Sequence, residues 1–552
     1  MARVRGGPDP LLSELLYEPA LAEDQRSVLP LLLRIDAAHV LMLAGRGLLA
    51  APAAARLLAL NHELGEQVRA GAAPLAGRAG HRGLYWLYEQ HAIERLGAEV
   101  GGAAHLARSR NDINATVARL RARGELLALG DHLLDLLAAA LASAREHAGT
   151  LMSCFTHLQP AQPSSLGHYL AGVAAELLRS TRWLAEAFAV VDRCPMGAAA
   201  GAGTSFAIDR EQVARHLGFS AVIENSADAV ASRDYLVHLL AAAAMAGSTL
   251  TRLAADLQLW ASHAYGFVGW PDELVSTSSI MPQKRNAFVL ENIRGQAVRP
   301  AAALTGVLLA LKSTPFANGV EASAEATAPA WPALAAAGKA VRLTTLLLAR
   351  MEVFPARMRA FLDGAETTMT ALADHLVARH GLPFRAAHDA VGEALREPAA
   401  GGPPAAPERA AAVPGSAPAG SGSGSAGSDS RSAGSDSGSA GSDSRSAGSD
   451  SELDALCARI ESQAAAGGRP LRLDRTEIAS VLDPARCLAA ARHGGGPAPE
   501  AVRGQVRVLE TECAALRERV AGWRRALAEA DRRLDEAAAA ARLAAQAEPA
   551  AR

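Results

Sequence analysis

The sequence predicts an all-α protein, a long-helix bundle with smaller helical N- and C-terminal domains. Half of the 552 residues are hydrophobic but only 4% are aromatic. The core must therefore be built from Ala, Leu and Val, which suit close-packed helices better than a pleated sheet. Apolar residues also recur at three- and four-residue intervals over long stretches, the period of a helix with one buried face. At about 150 residues per domain, the length allows three or four domain-sized units.

The N-terminal region, residues 1–104, opens with MARVRGGPDPLLSELLYEP, in which Pro, Asp and Glu interrupt the apolar stretch that a secretory leader needs. The central domain, 105–360, carries the longest periodic segments. They run from Asn114 to Ala148, Leu166 to Val191, Tyr235 to Tyr265, Leu290 to Lys312 and Ala330 to Met351, and short Gly/Pro loops between them imply a bundle. The C-terminal domain is expected in two pieces, 361–396 and 452–552. Its last stretch, Val502 to Arg542, has scattered apolar residues among Ala, Glu and Arg and reads as one or two exposed amphipathic helices packed on that domain. Between the pieces, residues 397–451 turn to Pro, Gly, Ala, Ser and Asp, and SAGSDS occurs four times with a period of seven. No large apolar residue stands in the period to make a coiled-coil seam, so a disordered linker is expected.

Lys+Arg 55 against Asp+Glu 57 leaves a net charge of −2, which excludes a general basic field for a nucleic acid or an anionic membrane. Uncharged apolar stretches such as Leu239 to Thr251 fall short of the roughly 18–20 residues of a spanning helix. Cys154, Cys194, Cys457, Cys487 and Cys513 show no paired spacing, as expected of buried thiols in a reducing compartment without a zinc site. The expectation is a soluble, cytoplasmic protein with neither a nucleic-acid nor a membrane partner.

Five polar clusters interrupt the helical pattern. In HLARSRNDINAT, Arg108, Ser109, Arg110, Asn111 and Asp112 stand just ahead of a long helix; they read equally as an anion site and as a cap with a solvated charge run. In FTHLQPAQPSSLGH, Pro160 and Pro163 hold Thr156, His157, Gln159 and Gln162 on an extended approach to the next helix. CPMGAAAGAGTSFAIDR lacks the Gly-Lys-Ser/Thr of a nucleotide cradle, and close backbone packing accounts better for Gly197, Gly201 and Gly203. In ENSADAVASRDY, Asn225 and Ser226 suit a helix cap and Arg233 is left as a carboxylate ligand. In STSSIMPQKRNAFVLENIRGQ, Pro282 forbids a regular helix, and Lys284 and Asn286 follow before the helix resumes with Glu291.

Together these segments resemble the fumarase/aspartase superfamily and, within it, the argininosuccinate lyases. Four signature runs of that family stand in order: Arg-Ser-Arg-Asn-Asp from Arg108, Thr-His-Leu-Gln-x-Ala-Gln-Pro from Thr156, Asn-Ser-x-Asp-Ala-Val-x-x-Arg-Asp from Asn225, and Ser-Ser-x-Met-Pro-Gln-Lys from Ser278. GLPFRAAHDAVGEAL and LDPARCLAAARHGGGPAPEAV also look like its C-terminal domain, so the resemblance covers roughly residues 30–395 and 452–510. It implies cleavage of a C–N bond in an N-substituted aspartate, releasing fumarate without a metal or organic cofactor. By the resemblance, Ser278 is the base, Lys284 and Asn286 stabilise the dianionic intermediate, and His157 paired with Glu291 does acid or orienting work. Ser109, Arg110, Asn111, Thr156 and Arg233 hold the two carboxylates of the substrate. The family's sites are shared among subunits of a homotetramer.

The chain also departs from that pattern. The family grips the guanidino-amino-acid half of its substrate through a Tyr, a Gln and a Lys, whose positions here hold Asn318, Ser323 and Ala326 in LKSTPFANGVEASAEA. Asp36 stands where a substrate-contacting Ser aligns, and Thr277 replaces the Gly before Ser278. These losses imply unchanged fumarate-forming chemistry with a different leaving group, a hydrazino- or acylhydrazino-succinate being one candidate. A catalytically inactive helical scaffold is the alternative, and Gln283 with the Arg-Ser-Arg-Asn-Asp run argues against a fumarase or ammonia lyase.

Overall fold

The computed structural model describes residues 7–77, 81–396 and 446–547. In chain order its main elements are α1 (Leu29–Gly45), α2 (Ala51–Arg69), α3 (Leu84–Leu96), α4 (Arg110–Glu146), β1 (Leu151–Thr156), β2 (Gln159–Ser165), α5 (Leu166–Val191), α6 (Asp234–Trp260), β3 (Ser276–Thr277), β4 (Arg285–Asn286), α7 (Phe288–Ala297), α8 (Arg299–Leu311), α9 (Ala330–Ala349), α10 (Met369–His380), α11 (Phe384–Arg396), α12 (Ser446–Ala466) and α13 (Pro499–Ala547). Long helices dominate, as the composition requires, and the described strands form only two-stranded ribbons.

The elements fall into two compact units. The first takes in the chain up to Thr150, Leu166–Arg357 and everything from Glu500. Its centre is a bundle of α4, α5, α6, α7, α8 and α9. Where α6 passes the end of α7, a Cβ on Gly247 would collide with the carbonyl oxygen of Ala297, so only glycine permits that approach. The expected single segment Leu290 to Lys312 is two helices interrupted at Val298, because Pro300 in the first turn of α8 has no N–H to continue the ladder.

The domain boundaries differ from the expected ones. No break in packing stands at 104–105: Leu32, Ile35, Leu57 and Tyr88 share one core with Ile113, Val117 and Leu120 of α4. The last helix also departs. It is one 49-residue rod, roughly 73 Å long, and from Glu500 it belongs to the first unit. Its buried residues Val502, Val506, Leu509, Cys513, Leu516 and Val520 alternate four- and three-residue steps, a coiled-coil-like seam. Glu510, Arg517, Arg524 and Asp531, seven residues apart, pair in turn with Arg145, Asp135, Asp131 and Arg34. Leu534 ends in the N-terminal core.

The second unit comprises Leu151–Ser165 and the chain from Met358 to Pro499. Leu372, Leu376, Ala387 and Val391 meet Cys457, Ile460 and Ile478 in one core, so the two sides of the repeat segment fold together. Most of the expected linker, 397–445, lies outside the described residues; its last SAGSDS copy, 446–451, instead opens α12.

Three helical segments, α4, α6 and Glu321–Ala349, are long and apolar enough by length and composition to cross a membrane, and a bent pair, Pro10–Ser27 with Leu29–Gly45, would add a fourth. This corrects the expectation from uncharged stretches, since a spanning window tolerates one or two charges. In α4 and α6, 56% of the apolar window is buried inside the protein, as befits bundle helices with neighbours on several sides.

Candidate active site

The start of α4 is built as a polar knot. Ser109 caps the helix: its Oγ accepts from the Asn111 N–H at 3.3 Å, while Asp112 Oδ1 accepts from the Ser109 N–H at 3.0 Å. The other oxygen of Asp112 accepts from Gly197 N–H at 3.1 Å and Ala199 N–H at 2.9 Å. Burial raises the Asp112 pKa, and these backbone bonds pull against it. The glycine-rich segment thus wraps a buried carboxylate, which is the close backbone packing expected of it. Asn111 Nδ2 donates to the Ala200 carbonyl at 3.3 Å, and Asn318 Nδ2 donates to Asn111 Oδ1 at 3.0 Å. Arg110, the first residue of the helix, is exposed.

Behind this knot lies a buried network that the sequence reading did not assemble. Arg108 is ion-paired to Asp36, whose Oδ2 also takes Asn61 Nδ2 at 2.6 Å and lies 2.5 Å from the Tyr88 hydroxyl. His39 Nε2 lies 2.8 Å from the Leu106 carbonyl oxygen. Burial, reinforced by the Arg108 charge, drives the His39 pKa down to about 3. Asp36 and Asn61 on otherwise apolar helix faces are the signal that could have revealed the network. Asp36 is spent on Arg108.

Arg233, at the start of α6, is also buried, with 2% of its surface exposed. Its Nη1 donates to the Ser232 and Val230 carbonyls at 2.7 and 3.2 Å, and its Nε has no partner among the described residues. Among the described residues no carboxylate pairs with it. The Arg119 guanidinium lies 4.2 Å from the centroid of the Tyr235 ring, so the starts of α4 and α6 occupy the same end of the bundle.

Ser278, Lys284, Asn286 and Glu291 lie at the other end. Strands β3 and β4 pair Ser276 with Asn286 and Thr277 with Arg285, closing the segment between them into a hairpin loop. Thr277 is part of a strand, so no left-handed backbone is asked of it. Ser278 Oγ accepts two backbone N–H groups, from Ile280 at 3.3 Å and Met281 at 3.2 Å. Lys284 is exposed, and its N–H closes a turn onto the Met281 carbonyl at 3.1 Å. Asn286 is half-buried. Glu291, on the first turn of α7, accepts from Gln258 Nε2 at 3.0 Å. From Arg233 to Gln258 the helix rises roughly 37 Å, at 1.5 Å per residue. One chain therefore does not bring Arg233 and Glu291 together.

Thr156 and His157 belong to the second unit. The expected extended strap is a β-hairpin, with Thr156 paired to Gln159 and His157 and Leu158 at its tip. Both tip residues have left-handed backbones, φ 53° and 61°, as a two-residue turn between twisted strands requires. For non-glycine residues such conformations carry strain of order 1–3 kcal/mol each, and here they hold His157 out on an exposed tip.

Residues 53–300 match a lyase family model, and residues 366–405 match a model of the argininosuccinate lyase C-terminal region. The chain is 34% identical to argininosuccinate lyase 1 of Shouchella clausii over 72% of this chain and 79% of that one. It is 35% identical to the argininosuccinate lyase of Haloarcula marismortui over 97% and 94% of the two chains. It belongs to the argininosuccinate lyase family. The crystal structure of EDDS lyase in complex with formate shares the fold, with TM-score 0.78 and 24% identity, covering 100% of this chain and 99% of that one. A 3-carboxy-cis,cis-muconate lactonizing enzyme from Pseudomonas putida does so at TM-score 0.63 and 21% identity, over 92% and 100% of the two chains.

This family member is a lyase of the fumarase/aspartase superfamily. Its departures have local explanations. Ser323 Oγ donates to the Gly319 carbonyl of its own helical turn at 2.8 Å, and Ala326 is fully buried. Ala326 has no polar group to offer, and the Ser323 hydroxyl proton is taken by its own helical turn.

Proposed function

We propose that the lyase eliminates fumarate from an N-substituted aspartate. The observation that carries this reading is the pair of backbone N–H groups on Ser278 Oγ. A free serine is far too weak a base to take a proton from the carbon beside a carboxylate. Two donors aimed at its oxygen favour the alkoxide, and closure of the loop over substrate would add desolvation and the nearby charge of Lys284. The proton passes from carbon to the Ser278 oxygen, and Lys284 and Asn286 stabilise the resulting dianion. The C–N bond then breaks, its electron pair leaves with nitrogen, and the C=C bond of fumarate forms. Nitrogen takes a proton, for which His157, oriented by Glu291, is the candidate.

Ser109, Arg110, Asn111, Thr156 and Arg233 are assigned to the two carboxylates; a buried Arg233 without an acidic partner suits a dianion. The roughly 37 Å along α6 supports a site assembled from several copies, and hence a homotetramer. A soluble enzyme in the cytoplasm fits this chemistry. The substrate is argininosuccinate or, as the positions of Asn318, Ser323 and Ala326 favour, a different N-substituted aspartate such as a hydrazinosuccinate. Fumarate appearance from a panel of N-substituted aspartates tests the reading. Ser278→Ala should lower kcat by about 10²–10⁴-fold with little change in KM. If neither protein released fumarate from any member, an inactive scaffold would be the better account.

A further inference from the structure

The hydrogen bond between Gln258 and Glu291 has a fixed polarity. An ionised carboxylate can only accept, so Gln258 must turn its NH₂ toward Glu291 Oε1, at 3.0 Å, and its own Oε1 away from it. That amide oxygen is buried and has no partner among the described residues. A buried acceptor left unpaired lowers stability, and an apolar side chain of the same shape, such as methionine, would avoid the loss. What the amide supplies in return is its contact with Glu291.

The frame around the pair is rigid, and the glutamate is its loose part. Leu257 and Trp260 on α6, and Leu290 and Ile293 on α7, are buried, and the two helices pack directly on each other. The backbones of Gln258 and Glu291 are thereby fixed, while the Glu291 side chain is exposed and has several bonds to turn about. One hydrogen bond from the half-buried amide restricts that freedom. The kind of donor matters as much as its place. A lysine or arginine would hold the carboxylate and cancel its charge, and among the described residues neither pairs with Glu291. A neutral amide fixes the direction of the carboxylate, leaves its charge uncancelled and leaves Oε2 for a second partner.

We infer that Gln258 is a positioning residue, which aims the Glu291 carboxylate at the imidazole of His157 in the assembled site without neutralising it. The carboxylate stabilises the imidazolium that carries the proton, and the proton passes from the imidazolium to the departing nitrogen. Gln258 itself gives and takes none, and its effect passes entirely through Glu291. This rests on the lyase reading, and the experiment separates the two. Gln258→Met keeps the shape and removes the donor. On whichever N-substituted aspartate the native protein cleaves, it should lower kcat by roughly 10–10²-fold, the scale set by a misplaced reacting group, with little change in KM. Its thermal midpoint should stay level or rise, because the unpaired oxygen is gone. Gln258→Lys holds the carboxylate but cancels its charge, and should lower kcat as well. In a Glu291→Gln background, Gln258→Met should cost nothing further.

Activity falling while stability holds is a split that a merely structural glutamine would not produce. A lower midpoint with kcat unchanged, or failure of Gln258→Met to fold, would show that the amide serves the fold and would overturn the inference. Native kcat in Gln258→Lys, or a loss that persists in the Glu291→Gln background, would overturn it too. If the native protein released no fumarate from any N-substituted aspartate, the lyase reading would fall, and crystal structures of the native protein and Gln258→Met would decide the role of Gln258 without turnover. A Glu291 carboxylate that faces His157 in the native protein and leaves that direction in the variant would keep the positioning role; a carboxylate unmoved between the two would remove it.

Discussion

The two ends of α6 are finished in opposite ways. At its start, Arg233 is buried, and the adjoining knot of Ser109, Asn111 and Asp112 is hydrogen-bonded to the backbone of the glycine-rich segment at Gly197, Ala199 and Ala200 and to the Asn318 side chain. At its end, Gln258 holds Glu291 on the surface, and the loop carrying Ser278 and Lys284 ends in exposed Ile280 and Met281. One end is preorganised and the other is a hairpin anchored at its base, where Arg285 donates to the Trp270 carbonyl at 2.9 Å. Groups that bind and orient gain from rigidity. A base that must be desolvated over its substrate has to move.

The most drastic way to break this comparison is to inactivate each end in a different chain. Ser278→Ala and Asn111→Ala should each be nearly inactive alone. Mixed under conditions that exchange subunits, they should regain fumarate release, because some hybrid sites draw an intact loop from one chain and an intact knot from another. Sites complete within one chain would leave the mixture as inactive as its parts.

The rigidity of the knot can be tested next. Replacing Arg108 by Met leaves Asp36 buried without its cation, which should cost about 3–5 kcal/mol in denaturant unfolding. The double replacement Asp36→Leu with Arg108→Met should recover part of that loss, since no uncompensated charge remains. No destabilisation in the single variant would mean that the network contributes nothing to holding the start of α4.

A smaller effect concerns acid. His39 is held neutral in the fold, with a pKa near 3 against about 6.5 for a free imidazole. The unfolded chain therefore binds a proton below pH 6.5 that the folded chain refuses until about pH 3. Stability due to His39 is present in full above pH 6.5 and is lost as pH falls through that window. His39→Gln can keep a donor toward the Leu106 carbonyl without titrating, so its unfolding midpoint should fall less steeply than that of the native chain between pH 6.5 and 3. Equal slopes would place the acid sensitivity elsewhere.

What the sequence could and could not disclose follows the same division. The bounds of α5 are the residues the apolar period marks, Leu166 to Val191, and those of α9 differ only at the C-terminal end, because a buried helical face writes its period directly into the chain. Local capping was equally legible, in Ser109 and Asn225. The Asp36–Arg108 pair was not, since it joins residues 72 apart and no local pattern encodes such a contact. Nor was the turn at His157, whose left-handed backbone falls on residues that seldom adopt it. The expected pairing of His157 with Glu291 rests on resemblance, and no local pattern marks Gln258, which donates to the same glutamate.

The last helix packs where no local pattern points for a related reason, and it yields the smallest expected effect. Its apolar residues look scattered until read in alternating steps of three and four, and its partners lie hundreds of residues away, as with Arg517 and Asp135 at 3.0 Å. That pair is roughly half exposed on both sides, so solvent screening leaves it worth at most about 1 kcal/mol. Arg517→Ala should lower stability by no more than that, and by less still in high salt. Leu534→Ala, which removes a buried side chain from the N-terminal core, should cost about 2–5 kcal/mol. If the order were reversed, α13 would be held by its charges rather than its seam.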